Sequence, residues 1–263
     1  MKKAVFLGAS NTYGVGLRYF NKYWQDSSNK LDYYLQDTHD DFTFTEKNRF
    51  SNLLSKYLNL KEINISEAGG SPAQSLYLLS KMNLNEIEYV VFEISALYSF
   101  FDRFIYEFGP ENPPKTPTEI ESFLTNGKND NPLLKEKIYN WLDGYDYEDF
   151  VDELFTKIKE FIELNKTIKF ILLPWRKFSI QFPYEKTNWV LNYSPRFKLK
   201  NGNFTYYVEE YLIDNDLTVN KEYNNYNLVN WPLIDLHPSY NGHQEIFKVL
   251  KSYIDEKNST NSW

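Results

Sequence analysis

One serine and one Asp-x-His segment, near opposite ends of the 263-residue chain, carry the side chains of a nucleophilic catalyst. Ser10 lies in Gly-Ala-Ser-Asn-Thr-Tyr-Gly, and Asp235 and His237 lie in Asp-Leu-His-Pro-Ser. A serine hydroxyl attacks an ester carbonyl when a base takes its proton, and a carboxylate can orient that base. Residues two apart in an extended chain point to the same side, so Asp235 can contact the His237 ring. Ser10 is thus either a turn residue or a nucleophile, and the Asp-x-His segment favours the nucleophile.

The two other histidines of the chain are interpreted as structural or solvated. We expect His243 to pack or cap at the start of the last helix. His39 lies in a charged loop, where a solvated acidic surface is favoured over a divalent-cation site. The chain has no cysteine, which excludes disulfides, thiolate metal sites and a cysteine nucleophile. We therefore predict neither a metal site nor a cofactor.

A buried strand positions Ser10. Residues 4–7 are continuously apolar, and Ser10 follows their carboxyl end, where ligands bind in open α/β sheets. Strands at 2–7, 62–66, 89–94 and 168–173 alternate with helices at 49–58, 72–82, 150–164 and 244–256. This alternation predicts a three-layer α/β/α sandwich around a parallel sheet.

Three polar, aromatic-rich segments interrupt this framework, at about 18–46, 95–146 and 179–230. We interpret them as insertions in a single domain, 1–263, that gather mostly at the loop edge above the site. The last insertion contains an expected β-hairpin over 197–200 and 203–208, joined through Asn201-Gly202.

The two chemical segments together resemble the SGNH (GDSL-type) hydrolase family. Its first block is a Gly-Asp-Ser-type turn carrying the nucleophile, and its last block is Asp-x-x-His or Asp-x-His carrying the base. The resemblance implies a flavodoxin-like parallel sheet of about five strands and an ester hydrolase or O-acyl esterase acting through an acyl-enzyme. It assigns the catalytic triad to Ser10, His237 and Asp235. It also implies an oxyanion hole formed by the N–H groups of Ser10 and a glycine after the second strand, where Gly70 is the preferred match and Gly69 the fallback.

Two positions depart from the family pattern. Leu97 stands about where the family places an oxyanion-binding asparagine, and Ala9 stands where it places an aspartate. Loss of one oxyanion donor typically lowers turnover by ~10²–10³. Asn11, Ser95 and Arg103 are candidate substitutes. The alternative function is a catalytically impaired binding or structural protein on the same scaffold, and a further alternative is a flavodoxin-like protein that binds a small molecule.

The substrate prediction rests on composition and on one dipeptide. Trp175-Arg176 follows the fourth strand and is either a substrate anchor, stacking on a sugar or meeting an anion, or ordinary edge packing. Polar, aromatic insertions favour acylated carbohydrate over long acyl chains. The net charge of −7 argues against nucleic acid, and no apolar run is long enough for a membrane span. We expect a cytoplasmic location, and the oligomeric state stays open.

Overall fold

Four parallel strands form the central sheet. A computed structural model of the chain describes residues 1–14, 16–17, 39–66, 72–95, 147–176, 184–219, 236–260 and 262–263. Its strands β1 (Lys3–Leu7), β2 (Lys61–Asn64), β3 (Ile87–Ile94) and β4 (Lys169–Pro174) pair in the order β2-β1-β3-β4. This is the flavodoxin-like order. A fifth strand of this sheet is not found among the described residues.

Helices cover both faces of the sheet. In chain order they are α1 (Ser10–Tyr13), α2 (His39–Asn48), α3 (Phe50–Tyr57), α4 (Pro72–Ser80), α5 (Tyr147–Leu164), α6 (Tyr184–Asn192), α7 (Val208–Asp214) and α8 (Tyr240–Thr260). One apolar cluster joins the sheet to α4, α5 and α6, and a second joins it to α3, α7 and α8. Successive strand residues alternate between the clusters: Val5 and Leu7 belong to the first, Ala4 and Phe6 to the second. The predicted three-layer α/β class is confirmed.

The segment 179–230 is predicted to be an insertion at the loop edge, but residues of its described part are buried in the core. The hairpin is present but short, as β5 (Phe197–Lys198) and β6 (Phe204–Thr205). Phe197, Val208 and Leu212 are completely buried in the second apolar cluster, so the described part of this segment builds the core. The sequence pattern does not indicate this burial, because α6 and α7 are short helices in a segment rich in aromatic residues. The segment 95–146 and most of 18–46 lie outside the described residues, and the single-domain assignment stays a prediction.

The carboxyl ends of the strands share one edge of the sheet. Phe6 of β1 is in register with Asn64 of β2, and Leu7 with Phe92 of β3. Residues that follow β1 therefore lie beside the ends of β2 and β3. None of the described helices combines the length and hydropathy needed to cross a membrane. The cytoplasmic location stays a prediction.

Candidate active site

A tight turn carries Ser10 from the sheet into a helix. Ser10 is the first residue of α1, Ala9 is its N-cap, and Gly14 donates its N–H to the Ser10 carbonyl at 3.0 Å. Gly8 makes the turn possible, because a Cβ there would lie 2.5 Å from the Glu93 carboxylate of β3. The hydroxyl therefore stands directly after the end of a central strand.

Backbone pairing fixes the segment that carries His237. The N–H of Val219 donates to the His237 carbonyl at 2.9 Å, and the N–H of Ser239 donates to the Leu217 carbonyl at 2.9 Å. Ser239 also accepts the Gly242 N–H through its hydroxyl at 3.0 Å, as an N-cap does for the first turn of a helix. Helix α8 thus begins at Tyr240, four residues earlier than predicted. The segment before it is held by its pairing with residues 217–219 and by this cap.

The Ser10 hydroxyl and the His237 ring are in contact. His237 Nε2 lies 2.7 Å from Ser10 Oγ, within hydrogen-bond distance, in a partly buried setting. In the tautomer protonated at Nδ1, the serine hydroxyl donates to Nε2. This is the pairing that a nucleophile and its general base require.

Gly16 lets the two chain ends approach each other. A Cβ on Gly16 would overlap the Pro238 carbonyl oxygen and lie 3.1 Å from His237 Cβ. The absence of a side chain there allows the loop after α1 to pack against the histidine segment. This close approach lies beside His237, the residue whose ring contacts Ser10.

Glu93 is a buried carboxylate beside the turn that carries Ser10. Its side chain lies on the same face of β3 as Val91 and is 0% exposed. Oε2 accepts the N–H of Ala9 at 3.2 Å, the N–H of Thr12 at 3.0 Å and the Thr12 hydroxyl at 2.5 Å, while Oε1 accepts the Asn11 amide at 2.9 Å. Burial raises the pKa of Glu93, and these hydrogen bonds oppose that rise.

His243 is structural in its surroundings, as expected from the sequence. It is fully buried in α8, stacks on Phe50 with ring centroids 5.7 Å apart, and accepts the Phe50 N–H through Nδ1 at 3.4 Å. Burial, reinforced by the charges of His237 and Arg49, lowers its pKa to about 3. A neutral imidazole therefore occupies this site at neutral pH. His39 belongs to the first turn of α2 rather than to a loop.

Several predicted site residues lie outside the described residues: Asp235, Gly70 with its fallback Gly69, and Arg103, together with Leu97. Of the remaining oxyanion candidates, Ser95 is buried directly after β3. The Asn11 amide donates to Glu93, so at least one of its N–H groups serves the turn. The triad carboxylate and the oxyanion glycine stay predictions.

Trp175 does not fit the prediction of a sugar-stacking anchor. It is 2% exposed and packs in the second apolar cluster, so its ring faces are covered by protein. Arg176 forms an ion pair with Glu209, its Nε 2.7 Å from Oε1. The burial of Trp175 is what the alternative interpretation, edge packing, expects, and an anion-binding role for Arg176 stays a prediction. No group of three or more metal-ligating side chains occurs within the described ranges.

The sequence analysis does not identify the polar groups that hold the turn containing Ser10. Glu93 is the charged residue within the continuously buried part of β3, residues 89–94, and a buried charge signals a partner or a function. Asn64, the last residue of β2, donates to the Thr12 carbonyl at 3.1 Å and to Ser51 Oγ at 3.0 Å. A polar residue at the carboxyl end of a strand was the available signal.

The chain is similar in structure to solved GDSL-type lipolytic enzymes and esterases. One match is a protein from Desulfitobacterium hafniense DCB-2 assigned to the lipolytic G-D-S-L family, at 14% identity, TM-score 0.44, and coverage of 96% of this chain and 99% of that one. Another is the psychrotrophic esterase EstA from Pseudoalteromonas sp., inhibited by monoethylphosphonate, at 12% identity, TM-score 0.42, and coverage of 97% and 100%. A third is phospholipase A1 from Streptomyces albidoflavus NA297, at 12% identity, TM-score 0.44, and coverage of 95% and 98%.

No protein-family model matches the chain, and comparison with curated proteins gives no match either. The TM-scores of the three solved structures lie below 0.5. The function proposed for this chain therefore rests on its own residues and contacts.

Proposed function

We propose that this protein is a serine ester hydrolase that works through an acyl-enzyme. The observation that carries the proposal is the 2.7 Å contact between Ser10 Oγ and His237 Nε2 at the carboxyl edge of the sheet. Asp235 is proposed to orient His237 from two positions earlier in the chain. The N–H groups of Ser10 and Gly70 are proposed to bind the oxyanion.

The reaction then proceeds in two halves. His237 Nε2 takes the Ser10 proton as Oγ bonds to the ester carbonyl carbon, and the tetrahedral oxyanion collapses as His237 protonates the leaving alcohol. In the second half His237 takes a proton from water, whose oxygen attacks the acyl carbon. Collapse of that intermediate releases a carboxylic acid and returns the proton to Ser10.

The proposed substrate is an O-acyl group on a carbohydrate. Support comes from the polar and aromatic composition of the segments 18–46 and 95–146, which suits sugars better than long aliphatic chains. We expect acetylated sugars to be hydrolysed faster than long-chain lipid esters at equal concentration. Turnover confined to long-chain lipid esters would contradict this substrate class.

The second candidate is a scaffold that binds its ligand without efficient catalysis. Two observations favour it: Leu97 at the expected asparagine position, and the hydrogen bond from the Asn11 amide to Glu93, which uses one of its two N–H groups. Turnover that depends on Ser10 and reaches the ordinary range of enzymes, a kcat of ~1–10³ per second, excludes this candidate.

The direct test is turnover of p-nitrophenyl acetate by Ser10→Ala. We expect a fall of at least ~10³-fold with little change in Tm, because the hydroxyl acts in chemistry and its loss leaves the core intact. Ser80→Ala, which removes an exposed hydroxyl bonded to the Tyr77 carbonyl, is the matched control and should keep full activity. Undiminished turnover by Ser10→Ala would overturn the nucleophile assignment.

A further inference from the structure

The carboxylate of Glu93 lacks the usual reason for being buried. Within the described part of the chain, no cation pairs with it, and its hydrogen-bond donors all come from residues 9–12. Burying a charged group is unfavourable unless hydrogen bonds compensate. The described hydrogen bonds of this buried carboxylate therefore all involve one short segment, the turn that contains Ser10.

Glu93, a residue of β3, caps the N-terminus of α1. Ala9 occupies the N-cap position, and its methyl group cannot accept a hydrogen bond. The Thr12 N–H, at the third helical position, is instead accepted by Glu93 Oε2. This is the donor that an N-cap side chain normally satisfies. A carboxylate 81 positions away thus replaces a local cap and ties the helix to β3.

Thr12 is the point at which the turn is held most tightly. Glu93 binds its N–H and its hydroxyl, while Asn64 of β2 donates to its carbonyl at 3.1 Å. Thr12 is itself buried. Rotation of α1 would break contacts to β2 and β3 at once. Ser10 lies between Ala9 and Thr12, the two residues whose N–H groups bond to Glu93.

We propose that Glu93 is a positioning residue for the nucleophile, acting through Ala9 and Thr12 to hold Ser10 Oγ in contact with His237. This inference rests on the proposed function. It assigns no chemical step to Glu93. Weaker hydrogen bonds to residue 93 are therefore expected to displace the Ser10 hydroxyl from His237. Misplacement of a reacting group by ~1 Å can lower the rate ~10²-fold.

The test compares Glu93→Gln with Val91→Ala, which shortens a buried side chain on the same strand and the same face. Both substitutions are expected to lower Tm. Assayed well below either Tm, Glu93→Gln should lower kcat ~10²-fold with a nearly unchanged KM, whereas Val91→Ala should retain kcat. Equal kcat losses for the two variants, or an unchanged kcat for Glu93→Gln, would overturn the proposal.

A double-mutant cycle tests the route through Thr12. Thr12→Val keeps the backbone N–H and the side-chain volume and removes the hydroxyl that Glu93 binds. If both residues hold the same turn, the double variant should lose little more kcat than Glu93→Gln alone. Fully multiplicative losses would contradict action through Thr12. Should Glu93→Gln fail to fold, Glu93→Asp replaces it in both experiments.

Failure of this inference can be told from failure of the proposed function. Wild-type protein that hydrolyses esters through Ser10, with Glu93→Gln equally active, contradicts the positioning role alone. If the wild type hydrolyses no ester, crystal structures of wild type and Glu93→Gln still decide the positioning role. We expect the Ser10 Oγ–His237 Nε2 distance to exceed hydrogen-bond reach in the variant, and an unchanged distance would overturn the inference.

Discussion

His237 Nε2 lies 2.7 Å from Ser10 Oγ, although the two residues are 227 positions apart in the chain. The contact joins the loop after the first strand to the segment before the last helix. Each partner has its own backbone support: α1 holds Ser10, and pairing with residues 217–219 holds His237. Both ends of the chain must therefore fold before the site exists.

His237→Gln should abolish the activation of Ser10 while leaving the core intact. The glutamine side chain has no basic ring nitrogen, so we expect turnover to fall by ~10³–10⁴-fold. The measurement is kcat for p-nitrophenyl acetate, with circular dichroism to verify folding. A folded variant with turnover near that of the wild type would show that another group acts as base.

Gly16→Ala should impair the site through a steric effect. Its Cβ would overlap the Pro238 carbonyl oxygen and press on His237, so we expect kcat to fall ~10²-fold. The matched control is Gly202→Ala in the hairpin turn, where an added Cβ meets nothing within 4 Å but the positive φ of 86° introduces strain. The control should lose some Tm and keep its kcat. Equal activity of both variants would contradict the role of Gly16.

Stability should decrease in mild acid because of His243. Its pKa is lowered from 6.5 to about 3 in the folded protein, so the unfolded chain binds the proton more readily. Its contribution is complete above pH 6.5 and is lost as pH falls from 6.5 towards 3. The expected slope is about 1 kcal/mol of unfolding free energy per pH unit within that window. Denaturant titrations at a series of pH values measure it.

His243→Asn isolates this contribution. An asparagine retains an acceptor for the Phe50 N–H and does not titrate. Because it lacks the ring that stacks on Phe50, the variant should be less stable than wild type at neutral pH, but it should lose less stability on acidification. Parallel pH slopes for wild type and variant would assign the acid sensitivity to other groups.

The sequence predicts the central strands and the pairing of Ser10 with His237, but not the hydrogen bonds to Glu93 that hold the turn around Ser10. Ser10 and His237 stand in short motifs at recognisable places, and the apolar runs around Val5 and Val91 mark central strands. Glu93 meets its donors only through the register of β1 with β3, which periodicity does not reveal.

Burial of single aromatic residues is equally hard to predict. Trp175 follows a strand at the edge where ligands bind, which suggests an anchor, but the core formed with α7 and α8 covers it. Phe197 and Leu212 pack into that core from a segment whose polar, aromatic composition resembles a loop. Their burial follows from tertiary packing rather than from local sequence pattern.

The most direct test of the central claim is the site of labelling by a fluorophosphonate probe. The probe phosphonylates a serine that a neighbouring base activates, and peptide mass spectrometry identifies the modified residue. We predict a single adduct on Ser10, absent in Ser10→Ala and formed far more slowly in His237→Gln. A folded wild-type protein that remains unlabelled, or an adduct on another residue, would contradict the assignment of Ser10 and His237 as nucleophile and base.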